Sequence, residues 1–309
     1  MEYDVSATLR DLGHSISFIE VFDDIAAVRQ SLMAQKPQIV FNMFEQFDGN
    51  ALFDQHLISY LELQKIPYTG ANPRGLTLAR DKALSKKILT YHRIEVPQFI
   101  VVPKEHKVRS VGKLEFPLFV KSLIEEGSLG ISQASIVYDL AQLRQRVQFI
   151  HEHVGTAALV EEYIDGREIY VGVMGNNRLT TFPLWELRIT KLAKGMAAIA
   201  TDKIKWDRKY QKKVGVKTGP PKDLDTGIAR QLVQVSKRAY RALYLSGYAR
   251  LDFRVTASGK IFLLEANPNP DLTCGEDFAE SAEVGGISYE ELLERIVRLG
   301  LQWVPGVDG

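Results

Sequence analysis

YARLDFRVTASGKIFLLEANPNP, residues 248–270, is the stretch that decides how this chain reads. Apolar and polar residues alternate on both sides of Ser258-Gly259, the pattern of two strands joined by a tight hairpin loop. With Ala257 and Lys260 as the closing pair, Asp252 lies across from Glu265 and Arg250 across from Asn267. Cross-strand neighbours on one face have β-carbons about 5 Å apart, so the two carboxylates repel each other unless a cation sits between them. Asn267 shares the parity of Glu265, and two carboxylates plus an amide form an all-oxygen set suited to Mg2+ or Mn2+. Leu251, Phe253, Phe262 and Leu264 take the opposite parity and are expected in the core. The competing arrangement pairs Asp252 with Arg250 or Arg254 on a solvated sheet face and leaves Glu265 as an unrelated strand-end acid. Two acids in hairpin register ahead of a rigid Pro268-Asn269-Pro270 exit favour the metal reading.

Further upstream, FPLFVKSLIEEGSLGIS (116–132) is a buried-looking strand that ends on Lys121 and runs into a small Gly-rich loop containing Ser128. A lysine beside mobile backbone amides suits a triphosphate, although the spacing is neither Walker A nor GxGxxG. ALVEEYIDGREIYVGVM (158–174) supplies strand-turn-strand geometry around Asp165-Gly166. Glu168 there is placed to accept two ribose hydroxyls, and the backbone from Glu162 through Tyr163 to Ile164 is placed to read adenine. Alone, Glu161, Glu162 and Glu168 would be exposed strand acids.

Composition narrows the classes. The 309 residues are 45% hydrophobic and 25% charged, ordinary for a globular chain of two or three domains. Lys and Arg number 39 against 38 Asp and Glu, so no broad basic surface invites nucleic acid or an anionic membrane. Cys274 is the only cysteine, which excludes an intramolecular disulfide and cysteine-rich zinc sites and fits a reducing compartment. No apolar run approaches the roughly 20 residues that span a bilayer, and MEYDVSATLRD lacks signal-peptide character, so a cytoplasmic protein without membrane contacts is expected.

The pattern before residue 78 alternates helix and strand: helices at Val5–Leu12 and Ile25–Met33, strands at Ile16–Val21 and Ile39–Phe44. This α/β unit (1–78) begins on a helix where a doubly wound unit begins on a strand, and it closes at a Tyr68–Pro73 turn. A central α+β unit (79–164) follows, with a basic helical stretch at Arg80–Lys87, strands at Phe99–Val102, Pro117–Lys121 and Ala158–Ile164, and a helix at Leu140–His151. The last unit (165–309) carries strands at Glu168–Met174, Thr180–Leu184, Tyr248–Val255 and Lys260–Glu265. It also has an amphipathic helix at Asp225–Leu243 with Ile228, Leu232, Val235, Ala239 and Leu243 on one stripe, and a capping box from Ser288 to Glu291.

Together these motifs resemble the ATP-grasp superfamily, specifically its D-alanine-D-alanine ligase branch. KIPYTGANP (65), RDKALSKK (80), FVKSLIEEGSLGIS (119), VEEYIDGREI (160), IKWD (204), GYARLDF (247) and FLLEANPNPDLT (262) carry the likeness over three quarters of the chain. The resemblance implies a three-part fold in which two α+β domains clasp ATP. It makes Lys82, Lys121 and Lys205 phosphate lysines, Glu168 the ribose acid, and Asp252, Glu265 and Asn267 magnesium ligands. Arg250 is then the group that stabilises a tetrahedral oxyanion, with backbone amides near Asp271-Leu272. Ser128, Glu161, Glu162, Tyr163, Ile164 and Leu264 complete the nucleotide contacts. The implied chemistry joins a small-molecule carboxylate to an amine through an acyl phosphate, under a basic lid at about 191–222; family members are commonly dimers. A true D-alanine-D-alanine ligase and a non-catalytic nucleotide-binding regulator are the alternatives.

Four departures fall on the substrate side. The opening strand and Gly-rich loop are absent ahead of residue 1, leaving Glu2 as the counterpart of the acid that holds the first ammonium. NMFEQFDGN (42–50) replaces a His-Gly and Gly-Glu-Asp-Gly segment. The serine and tyrosine that close the lid are Gly127 and Trp206. Asp271 replaces a glycine, and Glu276, beside Asp277, replaces the serine that holds the second substrate's carboxylate. Two acids repel a carboxylate and attract a cation, so an acceptor other than a simple α-amino acid is expected. In the alternative, Glu276 and Asp277 merely begin an exposed helix.

Overall fold

The computed structural model describes residues 1–125 and 127–306; Glu126, inside the 119–132 motif, and residues 307–309 lie outside the described residues. The chain opens on α1 (Glu2–Asp11), whose Val5 and Leu9 are buried with C-terminal residues such as Leu292 and Ile296. Next comes α2 (Ile25–Gln35), capped by Asp24, whose Oδ1 accepts from Ala26 N at 2.7 Å. The Ile16–Val21 and Ile39–Phe44 runs do not become strands. They are extended and pack apolar side chains inward, but a ladder needs a backbone partner, and the one these runs find is a parallel bridge between Val40 and Tyr68. Three helices complete this region: α3 (Asp54–Leu63), α4 (Pro73–Arg80), which has Asn72 as cap and Pro73 in its first turn, and α5 (Lys82–Tyr91), capped by Asp81. The Tyr68–Pro73 turn docks on the C-terminal part, where Ala71 N donates to Asn269 Oδ1 and Asn72 N to Ser246 Oγ.

The central sheet contains β1 (Phe99–Val102), β2 (Leu118–Ser122), β3 (Ile136–Val137) and, after α6 (Leu140–Phe149), β4 (Ala158–Glu162), in the spatial order β1-β4-β2-β3. Strand alternation sends Leu118, Val120, Ala158 and Val160 into a core with Leu143 and Val147 of α6. Phe119, Lys121 and Glu161 therefore occupy the opposite face.

The second sheet contains β5 (Arg167–Met174), β6 (Thr180–Thr181) and β7 (Trp185–Ile189); after α7 (Asp202–Trp206) and α8 (Arg208–Val214) come β8 (Val216–Gly219), α9 (Thr226–Ala242), β9 (Tyr248–Val255) and β10 (Ile261–Pro268). Its order is β10-β9-β5-β7-β8, with β6 on β5. The strand expected at Thr180–Leu184 is thus shorter, and β7 follows where none was expected. Asp225 caps α9 at Gly227 N and Ile228 N, and Leu232, Ala239 and Leu243 are buried against the sheet with Ile228 and Val235 partly buried beside them. Then α10 (Asp277–Val284) and α11 (Tyr289–Gln302) end the fold, with Ser288 Oγ accepting from Glu291 N. Among the described residues no helix is long and apolar enough to cross a membrane.

The β9–β10 hairpin reaches the expected register by an unexpected route. Its loop is three residues, Ala257–Gly259: Thr256 N donates to Lys260 O, Gly259 N donates to Thr256 O, and Gly259 takes φ +83°. Val255 therefore faces Ile261 and Phe253 faces Leu263, one residue out from the pairing drawn with a two-residue loop. A bulge at Leu264 then restores the offset, so that Glu265 faces Asp252 and Asn267 faces Arg250. Without the extra residue Glu265 would point into the core and Ala266 into the cleft, because a one-residue slip exchanges the two faces. The core set changes accordingly. Ile261, Leu263 and Ala266 join Leu251 and Phe253 in it, Phe262 lies on the other face under Lys260 Nζ, and Leu264 is only partly buried.

Leu263→Ala should cost about 2–5 kcal/mol in urea unfolding, whereas Leu264→Ala should cost under about 2 kcal/mol. Equal losses would contradict the bulge.

Candidate functional site

The two sheets face each other across a cleft whose lining includes Lys121, Ser128, Glu161–Ile164, Glu168, Lys205, Asp252, Leu264 and Glu265. All of these were singled out in the sequence, and strand alternation is what gathers them. On β5 and β9 the facing pairs Glu168–Arg254 and Tyr170–Asp252 share the cleft side, while Ile169, Val171, Leu251 and Phe253 share the core.

Glu161 is not an exposed strand acid. It is buried between two lysines, with Lys121 Nζ at 3.0 Å from Oε1 and Lys86 Nζ at 3.0 Å from Oε2. Burial works to raise the Glu161 pKa, but Lys121 and Lys86 outweigh it and hold the carboxyl below its usual range. Lys86 also donates to Leu264 O at 3.1 Å, and Lys121 lies 3.7 Å from Glu265. Lys82 is buried and donates to Glu125 O at 2.6 Å. At the adenine end Glu162 N and Tyr163 N are occupied by Gln98 O and Pro117 O; Ile164 has no hydrogen-bond partner for its N–H among the described residues. Glu168 accepts from Tyr170 Oη at 2.8 Å and from Arg254 Nη2 at 2.5 Å. Trp206, on α7, is exposed and donates its indole N–H to Gly127 O at 3.1 Å, so the basic 191–222 stretch and the small loop meet where those two residues stand.

At the metal end Arg250 makes a two-pronged contact with Asp252, Nε to Oδ1 at 2.8 Å and Nη2 to Oδ2 at 2.9 Å, and Asn267 Nδ2 donates to Oδ2 at 3.0 Å. The Arg250–Asp252 pair considered as the alternative to a metal site is therefore present, but Asp252 is buried and faces the cleft instead of forming part of a solvated face. The Arg250 guanidinium also stands 4.6 Å from the Tyr170 ring centre. Burial raises Asp252, with Arg250 opposing. Burial works the same way on Glu265, yet Lys121, Lys82 and Lys205 together depress it to about 2. Does this set fit Mg2+? Asp252 and Glu265 are oxygen donors one ladder step apart, and turning the Asn267 amide presents a third. No group of three or more His, Cys, Asp or Glu side chains is arranged to hold a metal among the described residues. Two carboxylates without a full protein cage suit an ion that keeps waters and phosphate oxygens as its other ligands, so the residues fit.

The substrate end is less uniform than the sequence implied. Asp271 Oδ1 is taken by its own turn, accepting from Thr273 N at 2.8 Å and Thr273 Oγ1 at 2.6 Å. Asp277 Oδ1 accepts the Trp185 indole N–H at 3.0 Å. Glu276 is the N-cap residue of α10 but makes no capping bond; partial desolvation and then Asp277 and Asp271 raise its pKa, with Arg208 opposing. Asp277 and Glu276 thus do begin a helix, and among the described residues the exposed Glu276 carboxylate makes no hydrogen bond or ion pair. Leu272 N points at Met1 Sδ, 3.5 Å away. Glu2 is exposed, and its ion pair is with the chain's own N-terminus at 3.8 Å.

Of the cleft lining, Phe119, Ile131, Tyr170, Ile199 and Ala200 were given no role in the sequence; Arg254 entered only as a possible partner of Asp252, and Lys86, buried beside Glu161, was not named at all. Lys86 was findable, since it sits four residues after Lys82 on the same helical face. Arg254 shares the parity of Asp252, but nothing in the sequence showed that its partner is Glu168 across β5.

Two sheets facing each other across a cleft lined by Lys121 and Lys205, with Asp252 and Glu265 paired at one end, define an ATP-grasp protein. Within that class, the family model described as D-ala D-ala ligase C-terminus matches residues 84–298, and the chain belongs to this family. It is 32% identical to an uncharacterized protein, y4sG, of Sinorhizobium fredii over 95% of this chain and 85% of that protein. It is 29% identical to a D-alanine–D-alanine ligase of Desulforudis audaxviator over 96% of this chain and 90% of the relative. Among solved structures, the D-alanine–D-alanine ligase of Bacillus anthracis complexed with ATP superposes with a TM-score of 0.69 at 26% identity, covering 89% of this chain and 83% of that one.

Because the Glu161 pKa is lowered from its ordinary 4.5, its stabilisation is complete above that value and is lost as pH falls through the depressed one. Urea midpoints of the wild type should therefore drop between about pH 5 and about pH 3 more steeply than those of Glu161→Gln. Parallel profiles would contradict the buried ion cluster.

Proposed function

We propose that the protein is an ATP-dependent carboxylate–amine ligase working through an acyl phosphate, with an acceptor other than D-alanine. The observation that carries the reading is the position of Asp252 and Glu265 across one ladder, with Arg250 alongside and Lys121 and Lys205 in the same cleft. Asp252, Glu265 and Asn267 would hold Mg2+, which would supply positive charge to offset that of the ATP phosphates.

This chain's own residues supply the rest. Glu168 receives the ribose hydroxyls, and Ile164 N–H with the Glu162 carbonyl reads adenine. Lys121, Lys82 and Lys205 offset phosphate charge as the γ-phosphoryl moves to the substrate carboxylate, turning a poor electrophile into one with a good leaving group. The amine then attacks, and the guanidinium of Arg250 receives the developing oxyanion. No enzyme nucleophile takes part. The lid at 191–222 keeps water from the acyl phosphate.

The acceptor half follows from Glu276. Its uncommitted carboxylate stands where the resemblance places a serine that holds a substrate carboxylate, and it repels such a group. A primary amine lacking the α-carboxylate, or one with a second cationic group, meets it favourably.

The test is ADP release by the full chain with Mg-ATP, screened over pairs of D- and L-amino acids and polyamines, with products identified by mass spectrometry. Turnover is expected with a cationic or carboxylate-free acceptor, and Asp252→Ala should abolish it. Arg250→Met should lower kcat by about 10²–10³-fold, the usual weight of an oxyanion donor. Rapid D-alanyl-D-alanine synthesis from D-alanine alone would overturn the acceptor reading; full activity in Asp252→Ala would overturn the metal assignment.

A further inference from the structure

The mechanism gives no task to Arg254, a buried cation of the cleft. Arg254 lies on β9 directly across from Glu168 on β5, and its side chain is 4% exposed. A guanidinium removed from water needs its donors spent, and Arg254 spends them on three different parts of the fold. Nη1 donates to Gly166 O at 2.9 Å, in the turn before β5. Nη2 donates to Glu168 Oε2 at 2.5 Å and to Ala198 O at 2.7 Å. Ala198 belongs to the start of the lid segment, just before Ile199 and Ala200, which line the cleft.

The adjoining residue is held from the other sheet. The side-chain amide of Gln133, which follows the small loop, donates Nε2 to Ala197 O at 2.9 Å and accepts from Ala197 N at 3.0 Å. Asp202 N donates to Ile131 O at 3.1 Å a few residues on. Two successive residues at the lid root are thus fixed by side chains from the two halves of the clasp, and one of these side chains shares a nitrogen with the acid assigned to the ribose.

We infer that Arg254 and Gln133 staple the root of the lid across the two sheets, and that Arg254 couples the seating of the ribose acid Glu168 to lid closure. Arg254 is in this sense a positioning residue. It holds Glu168 by an ion pair on the side away from Tyr170, and through the same nitrogen it holds the lid carbonyl. A ribose that settles on Glu168 steadies the carboxylate, which steadies the guanidinium and the Ala198 backbone with it. The cleft therefore closes when the nucleotide is properly seated, before a reactive acyl phosphate exists for water to reach. The inference rests on the nucleotide reading of the cleft.

The experiment uses the full chain with Mg2+ and a non-hydrolysable ATP analogue. Nucleotide binding is measured by calorimetry, and closure by trypsin cleavage within the lid at sites such as Lys194, Lys203, Lys209 and Lys212. In the wild type the analogue should bind and protect these bonds. Arg254→Met should still bind it, about tenfold more weakly for the loss of a charge-assisted hydrogen-bond set, yet leave the lid cut at the nucleotide-free rate. During turnover this variant should release more ADP per amide formed, and Arg254→Lys should restore part of the protection. Protection and ADP-to-amide ratio both as in the wild type, with Arg254→Met folded by circular dichroism, would overturn the coupling. Where Arg254→Met does not fold, Gln133→Leu carries the test: lid protection is expected to be lost with binding retained, and undiminished protection overturns the staple. A wild type that does not bind the analogue overturns the nucleotide reading itself, and the inference with it.

Discussion

Two carboxylates that should repel each other, Asp252 and Glu265, stand one ladder step apart because β10 carries one residue too many at Leu264. The rest of the cleft is organised around that bulge. Leu264 O, freed from regular pairing, accepts from Lys86; Lys86 holds Glu161; Glu161 holds Lys121; and Lys121 approaches Glu265. A closed circuit of alternating charge thus links α5, the central sheet and the hairpin of the second sheet. Each buried ion would be costly alone, and each has an opposite charge within reach. The field of Lys121, Lys82 and Lys205 keeps Glu265 ionised, while Arg250 occupies Asp252. A divalent cation arriving with a polyphosphate would relieve a repulsion that the protein's own cations now only balance.

Much of this was legible in sequence because alternation and helical periodicity report which face is buried. The α9 stripe follows from period alone, and the cleft residues of β2 and β4 from motifs that end on recognisable strands. What periodicity cannot report is the backbone partner. Ile16–Val21 and Ile39–Phe44 have the composition of strands and partly bury most of their apolar side chains, but the one bridge they make among the described residues joins Val40 to Tyr68. The hairpin illustrates a subtler limit. A two-residue loop at Ser258-Gly259 gives the right opposition only because the real three-residue loop and the bulge shift the register in compensating ways. The side chains between them show it: Leu263 joins the core cluster behind the sheet, Phe262 is buried on the other face, and Leu264 is only partly buried. The short α7 and α8 helices carried no apolar stripe long enough to announce them.

The substrate half was the least legible, for a physical reason. A carboxylate's effect on a ligand depends on what else it is bonded to, and the sequence places Asp271, Glu276 and Asp277 together without saying that a turn and a tryptophan consume two of the three. What remains, Glu276, is a single negative group at a position where close relatives in mechanism are expected to receive a negative substrate group. The family fixes the scaffold, and the proposed acceptor rests on Glu276.

The central claim is that the protein activates a carboxylate by phosphorylation before an amine attacks. It is tested most directly by supplying the carboxylate substrate found in the ADP-release screen, labelled with 18O in both carboxylate oxygens, with Mg-ATP and its matching amine, and weighing the released phosphate. Attack of the carboxylate on the γ-phosphorus, followed by loss of phosphate to the amine, must leave one donor oxygen in each phosphate. Phosphate carrying a single 18O is the predicted result. Phosphate free of 18O, formed at the rate of ADP release, would contradict the account.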